Sequence, residues 1–434
     1  MNSIDVNPFL VGGAYVVASS YKFSDYAPYI YKTADYGKSW TVITNGIPKE
    51  EFVRVVRADP KRKGLLYAGT EKGMWVSFDD GASWSKFQLN LPPVPIHDLA
   101  IKNDNLIAAT HGRSFWMVDD LTPLHQVNVE IASKEIALFK PMPTYRMPGG
   151  TSQSNRKLEG ENHPGGVMVH FFLKKADENN ETKLEFIQLN GEVIKTFSNK
   201  AKERADQLTV KVGGNRFVWN TRYPGYKTFP GLVFYGSPNL GPKAVPGKYK
   251  VRLTSLGASL EQEFEILKDP RIQTTQEELQ SQFDFLVKVR DKVSEANQGV
   301  IHIRKIKDDL GSLKSKLGSD PQYKDLNDGI KKFEQALSDH ENNIHETRNR
   351  SVQDPLNYGI KMNNQLAHLM VEQAAGDFPP TKQGEEVRQM LTKKVDEELS
   401  KLKSTINQNV DRINQMAKEK GVEVITVQRK PTDM

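Results

Sequence analysis

The sequence of 434 residues contains no cysteine. Disulfide scaffolds, zinc ribbons, iron–sulfur ligation and thiol catalysis are therefore excluded together. No apolar run approaches the roughly 18 to 20 residues that span a bilayer, and the N-terminus lacks the basic start and apolar stretch of a signal peptide. We expect neither a membrane span nor a secretion signal within this chain.

Runs of one charge sign are also missing. The 60 Lys and Arg and the 54 Asp and Glu give a net charge of +6, and no five like charges follow one another. This pattern favours solubility and predicts no nucleic-acid partner. Glycine-rich phosphate loops are absent as well, so nucleotide binding has no support. We predict no cofactor. The length leaves room for two to four domains at about 100 to 200 residues each.

The N-terminal third does contain a repeat. Three copies of a strand–turn–strand pattern lead into Ala18, Ala68 and Ala108, and two of them continue into related octets, Thr33–Trp40 and Ser77–Trp84. The octets lie 44 residues apart. Periods of about 40 to 50 residues are typical of β-propellers.

The octet, Ser/Thr-x-Asp-x-Gly-x-Ser/Thr-Trp, resembles the Asp-box of BNR-repeat propellers, a family that includes sialidases and sortilin-type proteins. Its residues are structural: the carboxylate accepts backbone N–H groups, the glycine adopts a positive φ, and the tryptophan packs in the blade. On this resemblance the structural positions are Asp35, Gly37, Trp40, Asp79, Gly81 and Trp84. The third copy, Thr110–Asp120, is interpreted as a degenerate last blade.

Propellers close with about 4 to 8 blades, whereas residues 1–125 hold at most three. The order of modules resembles the C-terminal part of large bacterial sortilin-like BNR-repeat proteins, often labelled glycosyl hydrolases. The resemblance implies further blades and a secretion signal upstream. It also implies an extracytoplasmic parent protein in the periplasm, on the outer membrane surface or secreted. We further expect self-association through the unclosed blades.

The predicted fold class is multidomain β plus α: partial Asp-box propeller blades, an immunoglobulin-like β-sandwich and an antiparallel helical bundle. Breakers such as Pro148 and Gly149 predict a linker, period-two alternation predicts strands, and apolar steps of three and four predict helices. The predicted units are blades over 1–125, a linker over 126–165, an immunoglobulin- or fibronectin-like sandwich over 166–271, a helical bundle over 272–420, and a short strand with a tail over 421–434.

Glycoside hydrolysis needs two carboxylates, or in sialidases a tyrosine with an acid and an arginine cluster. The local candidates for catalysis are Asp119, Asp120, His111 and Arg113. The alternative is that these residues bind neighbouring backbone and lock the last blade to the first. Aromatic side chains in a proline- and glycine-rich stretch could contact a glycan: Trp219, Tyr223 and Tyr226. No metal site is predicted, because His340 and His345 are five residues apart and diverge around a helix.

Two hypotheses on function follow, and whether the chain is an enzyme stays open. The first is a non-catalytic binding and scaffolding segment of a secreted or envelope propeller protein, with a peptide or glycan as ligand. The alternative is a glycoside hydrolase of the BNR class whose active site is mostly formed by upstream blades.

Overall fold

The protein is described by a computed structural model for residues 1–147, 160, 162–176 and 179–422. In chain order these residues form three small antiparallel sheets, two further sheets that share one core, and a group of helices. Within these ranges, no helix has both the length and the apolar character needed to cross a membrane.

In each of the three N-terminal sheets, every strand pairs with its neighbours in sequence. The first sheet contains β1 (Ser3–Val6), β2 (Ala14–Ser20), β3 (Asp25–Thr33) and β4 (Thr41–Val42). The second contains β5 (Val53–Ala58), β6 (Leu66–Thr70), β7 (Met74–Ser77) and β8 (Ser85–Lys86). The third contains β9 (Ile96–Lys102), β10 (Asn105–Thr110) and β11 (Phe115–Val118).

The second sheet lies between the other two. One of its faces buries Val56 and Trp75 against the first sheet, and the other buries Val55 and Tyr67 against the third. Strand β6 is consequently buried along its whole length. At Gly69 a Cβ atom would lie 2.7 Å from Ile96, so the close approach of the third sheet requires glycine there.

Two short helices follow, α1 (Thr122–Gln126) and α2 (Val129–Ser133). The smaller central sheet has the strand order β12 (Ile136–Leu138), β14 (Val167–Leu173), β17 (Gly213–Trp219). The larger central sheet has the strand order β13 (Thr144–Tyr145), β19 (Ala258–Leu267), β18 (Gly247–Ser255), β15 (Lys183–Gln188), β16 (Val193–Ser198). Alternate residues of β18 are buried, as the period-two pattern predicts. Both sheets contribute to one core around Trp219.

The segment predicted as a linker, 126–165, is only partly a linker. Helix α2 and strands β12 and β13 lie within it, and β12 pairs with β14. The prediction was wrong there because the short apolar run Ile136–Leu138 buries its side chains and completes the hydrogen bonds of a sheet edge. The breakers Pro148 and Gly149 lie outside the described residues.

The helices are α3 (Gln276–Leu317), α4 (Lys324–Ile344), α5 (Pro355–Tyr358), α6 (Met362–Gln373) and α7 (Lys382–Glu419). Helix α3 starts with a capping box in which Thr275 and Glu278 bond each other's backbone N–H groups. The predicted apolar steps form the buried seam, which includes Ile303, Ile330 and Ile406. Most of the predicted C-terminal strand, Val422–Val427, lies outside the described residues.

The three long helices alternate in direction along the chain. Arg304 binds Glu341 and Lys314 binds Glu334, so α4 runs against α3. Helix α7 runs in the same direction as α3, because Lys292 binds Asp396 at 2.6 Å and Gly299 lies against Leu399. Helix α6 continues in the direction of α4, because Asn363 contacts Asn297 of α3 and Gln373 contacts Gln282. Helix α7 then turns back as the third leg of an up-down-up arrangement, in which the first and third legs are parallel.

Candidate functional site

One end of the three N-terminal sheets carries the loops that we call the hairpin edge. It comprises the β2–β3 turn (21–24), residues 52–54 before and at the start of β5, the β6–β7 turn (71–73), His97, and the β10–β11 turn (111–114). The strand registers place them together, since Ser20 pairs with Asp25, Val53 with Thr70, and Ile96 with Thr110. Loops from three successive sheets therefore meet along one edge.

An aromatic and cationic cluster joins the first two sheets at this edge. The rings of Tyr21 and Phe52 stack with centroids 4.9 Å apart, and the Arg54 guanidinium lies 5.0 Å from the Phe52 ring centre. Arg54 Nε also donates to Glu71 at 2.7 Å. Stacking and cation–π contacts of this kind hold the side chains in fixed positions.

A pair of histidines lies farther along the hairpin edge, next to the third sheet. The rings of His97 and His111 stack with centroids 5.0 Å apart, and the backbone N–H of His111 donates to the Pro95 carbonyl. Burial lowers the pKa of His97, and the nearby Arg54 guanidinium and His111 lower it further. The neighbouring cation therefore disfavours the protonated form of His97.

The phenylalanines at the two outer turns of the hairpin edge are exposed. The side chain of Phe23 is 87% exposed and that of Phe115 is 75% exposed. Two carboxylates near the edge are already engaged, because Glu71 pairs with Arg54 and buried Glu51 accepts bonds from Thr70 and Trp75. The arrangement can stack on a ligand and donate hydrogen bonds to it, whereas these two acids serve the protein's own structure.

The predicted catalytic candidates do not come together. His111 and Arg113 precede β11 at the hairpin edge, whereas Asp119 and Asp120 follow β11 at the opposite end of the sheet. Four strand residues separate the two groups by about 13 Å. The grouping was wrong because neighbours in sequence are carried apart by an extended strand.

Asp120 instead binds a histidine that the sequence did not indicate. Its Oδ2 lies 3.2 Å from His170 Nε2 on β14, and its Oδ1 accepts the Thr122 N–H at 2.8 Å. Burial would raise the pKa of Asp120, but the contacts with His170 and Thr122 outweigh burial and lower it. His170 could not be found by spacing, because the loop before β14 brings it from 50 residues away.

The turn after β7 has the bonding expected of its octet. The Asp79 carboxylate accepts Ser83 N–H at 2.9 Å and the hydroxyls of Ser83 and Ser77, and Gly81 has φ 87°. Trp84 is 4% exposed and donates to the Ile43 carbonyl of the first sheet's final loop at 2.7 Å. This turn is therefore covered by the preceding sheet.

The turn after β3 has the same internal bonds but a different environment. Asp35 accepts bonds from Ser39 and Thr33, chiefly from the Ser39 hydroxyl and N–H, which lower its pKa to about 2. Gly37 has φ 81°, and Trp40 donates to the Gly37 carbonyl at 3.0 Å. Trp40 is 45% exposed, so the expectation that it packs inside a blade is not met. Within the described residues, nothing equivalent to the Ile43 loop covers it.

Two of the three predicted glycan contacts are buried. Trp219 is fully buried and stacks on Phe186 with centroids 4.4 Å apart, and Tyr226 donates its hydroxyl to the Ser237 carbonyl. The prediction of exposed aromatics was wrong for these residues, because the glycine- and proline-rich stretch folds back onto the central core and the helices. Tyr223 is partly exposed beside Phe283.

The two helical histidines have protein partners. His340 lies 2.7 Å from Glu398 and 2.9 Å from Thr405, whereas His345 lies 3.5 Å from Asn363. Across the part of the chain that the structure describes, no cluster of three or more histidine and acidic side chains could hold a metal ion.

Comparison with known proteins gives partial similarities. No family model matches the sequence. The chain is 24% identical over 168 residues to vacuolar protein sorting/targeting protein 10 of Leptosphaeria maculans, a match that covers 36% of this chain and 10% of that protein. The chain thus spans about a tenth of the length of the curated relative that it matches.

Three solved structures are similar at low scores. An ancestral GH74 enzyme is 21% identical, covering 26% of this chain and 14% of that chain, with a TM-score of 0.22. YCF48 bound to D1 peptide is 13% identical, covering 61% and 66%, with a TM-score of 0.21. A GH74 enzyme of Niastella koreensis is 11% identical, covering 62% and 46%, with a TM-score of 0.23. TM-scores this low assign neither fold nor function.

Proposed function

We propose that this chain is a non-catalytic binding and scaffolding segment of a larger Asp-box propeller protein. The N-terminal sheets are then blades, the central sheets an immunoglobulin-like sandwich, and the helices a bundle. Two observations support the blade assignment. Asp35 and Asp79 accept the same hydrogen bonds within their turns, and Trp84 of the second sheet donates to the Ile43 carbonyl of the first. The parent protein is proposed to be an extracytoplasmic bacterial protein, secreted or in the envelope.

The hairpin edge is the proposed ligand-binding surface, and a peptide or a glycan is the proposed ligand. The observation that carries this proposal is that two clusters lie near each other at the turns of three sheets: Tyr21, Phe52 and Arg54 in one, and His97 and His111 in the other. The exposed rings of Tyr21, Phe23 and Phe115 supply stacking area, and the cations and imidazoles supply hydrogen-bond donors. Polar residues on a rigid sheet edge are a common basis for recognition.

The test is to screen the full chain against glycan and peptide arrays and to repeat the strongest binding with variants. Phe23→Ser and Arg113→Gln should each weaken binding about tenfold, corresponding to about 1.4 kcal/mol. Asp119→Asn, at the opposite end of β11, is the control and should bind as the native chain does. Equal loss in the control would contradict the proposal, and hydrolysis of a chromogenic glycoside would favour an enzyme instead.

Self-association belongs to the same proposal. Leu10, Val11, Tyr36 and Trp40 form an exposed apolar surface on the first sheet, in the position that corresponds to the covered Trp84 turn. Exposed apolar patches of this kind commonly mark contact sites. We expect this surface to pack against another sheet, in a second copy or in a longer polypeptide.

A further inference from the structure

A cavity lies between α1 and the smaller central sheet, away from the hairpin edge. It has a volume of about 510 Å³, and its walls include Pro123, Phe139, His170, Val210, Lys211 and Arg216. The β17 end of this wall is open, because a Cβ atom at Gly214 would meet nothing within 4 Å. A small molecule of ordinary ligand size fits a cavity of this volume.

Behind the His170 ring, the structure holds unsatisfied polar atoms. Asp120 Oδ2, His170 Nε2 and Thr122 Oγ1 are all buried, and none of the three has a hydrogen-bond partner in the described part of the chain. The Asp120–His170 distance of 3.2 Å is an ion-pair contact without hydrogen-bond alignment. Buried atoms of this kind normally have partners, so a polar cluster with unused bonding capacity adjoins the cavity.

Two cations lie at the cavity mouth. Arg216 is directly opposite His170 in the β14–β17 pair, so their side chains share one face of the sheet. Lys211 lies on the same wall. Both side chains are exposed, and neither forms an ion pair with another residue of the described ranges. Their charge is therefore available to a ligand.

We propose that this cavity binds a small ligand that carries a carboxylate or phosphate group on an apolar body. Arg216 and Lys211 hold the anionic group, with the His170 ring, which contacts Asp120 on its buried side, as a further donor. Phe139 and Val210 pack against the apolar part. Guanidinium groups are suited to such oxyanions because they donate two parallel hydrogen bonds.

The experiment follows the His170 resonance of the full chain, labelled with ¹³C at its nine histidines. His170→Gln assigns the signal. Phenyl phosphate, benzoate and neutral benzyl alcohol are titrated in parallel. A saturable shift with phenyl phosphate, benzoate or both supports the proposal and identifies the anion. The absence of a saturable shift with either anion, or an equal shift with benzyl alcohol, overturns it.

Charge removal provides the second measurement. Lys211→Gln combined with Arg216→Gln should raise the dissociation constant at least tenfold, because both cations are removed. Both side chains are exposed, so the stability of the fold should not change. Lys200→Gln combined with Arg204→Gln removes the same charge from the connection between β16 and β17 and should leave binding unchanged. Unchanged binding in the cavity variant, or an equal loss in the control, contradicts an anion site.

Discussion

Trp40 and Trp84 end two octets of similar sequence, but they differ in burial because different segments lie next to them. Trp84 is 4% exposed beneath the Ile43 loop, whereas Trp40 is 45% exposed. We expect Trp84→Ala to lower the free energy of unfolding by about 3 to 5 kcal/mol, and Trp40→Ala by about 1 kcal/mol or less. Urea unfolding followed by far-ultraviolet circular dichroism measures both. Equal losses would contradict the role given to the covering loop.

A single buried histidine makes the stability of the helices depend on pH. Burial lowers the pKa of His345 to about 4, with Arg304 adding to the effect, while an unfolded histidine titrates near 6.5. Between these values the unfolded chain binds more protons, so stability should fall as pH drops from 6.5 to 4, by roughly 3 kcal/mol in total.

The measurement for this effect is urea unfolding of the native chain and His345→Gln at pH 7.5 and pH 4.5. The substitution should flatten the difference between the two pH values. His302→Gln is the control, because His302 lies on the same bundle with no comparable burial. An unaltered pH dependence in His345→Gln would assign the effect to other groups.

At the scale of elements, helix α3 contains two glycines whose surroundings differ. A Cβ atom at Gly299 would lie 2.6 Å from Leu399 of α7, whereas one at Gly311 would meet nothing within 4 Å. Gly311→Ala should stabilise the helix by about 0.5 to 1 kcal/mol, because alanine restricts the unfolded chain. Gly299→Ala should give no such gain, since Leu399 must move to admit the methyl group.

Thermal unfolding of both alanine variants tests this pair. The expected result is a higher midpoint for Gly311→Ala than for Gly299→Ala, with a difference of about 1 kcal/mol or more in free energy. A gain at both positions would mean that α3 and α7 are packed less closely than the Gly299–Leu399 approach indicates.

At the scale of the whole molecule, the sheets and helices are joined by buried polar contacts. Arg146 of the central sheets pairs with Asp377, which follows α6, and donates to the Ala244 carbonyl. Asn364 of α6 binds the Tyr235 backbone. The central sheets and the helices are therefore joined to each other, and the end of the N-terminal sheets contacts the central sheets at Asp120 and His170.

The uncovered first sheet predicts assembly. Val11 is 83% exposed beside Tyr36 and Trp40, and we expect the sedimentation coefficient of the chain to rise with protein concentration. Val11→Glu should reduce this rise, because a charge in an apolar contact is costly to desolvate. Val129→Glu, at a position 89% exposed on α2, should leave it unchanged. A native chain that stays monomeric at all concentrations would contradict the proposed contact.

The sequence by itself determined the local features. The octets around Asp35 and Asp79, the period-two strands and the capping box at Thr275 each depend on residues within a few positions of one another, so their spacing indicates their bonds. The seams of the long helices are predictable for the same reason.

Only the tertiary structure decided what lies beside each feature. It separated His111 from Asp120 along β11, brought His170 to Asp120, covered Trp84 but not Trp40, and buried Trp219 in the central core. Contacts between distant segments depend on how whole sheets and helices pack, and the burial of a side chain is a property of its neighbours. Local spacing carries no information about those neighbours.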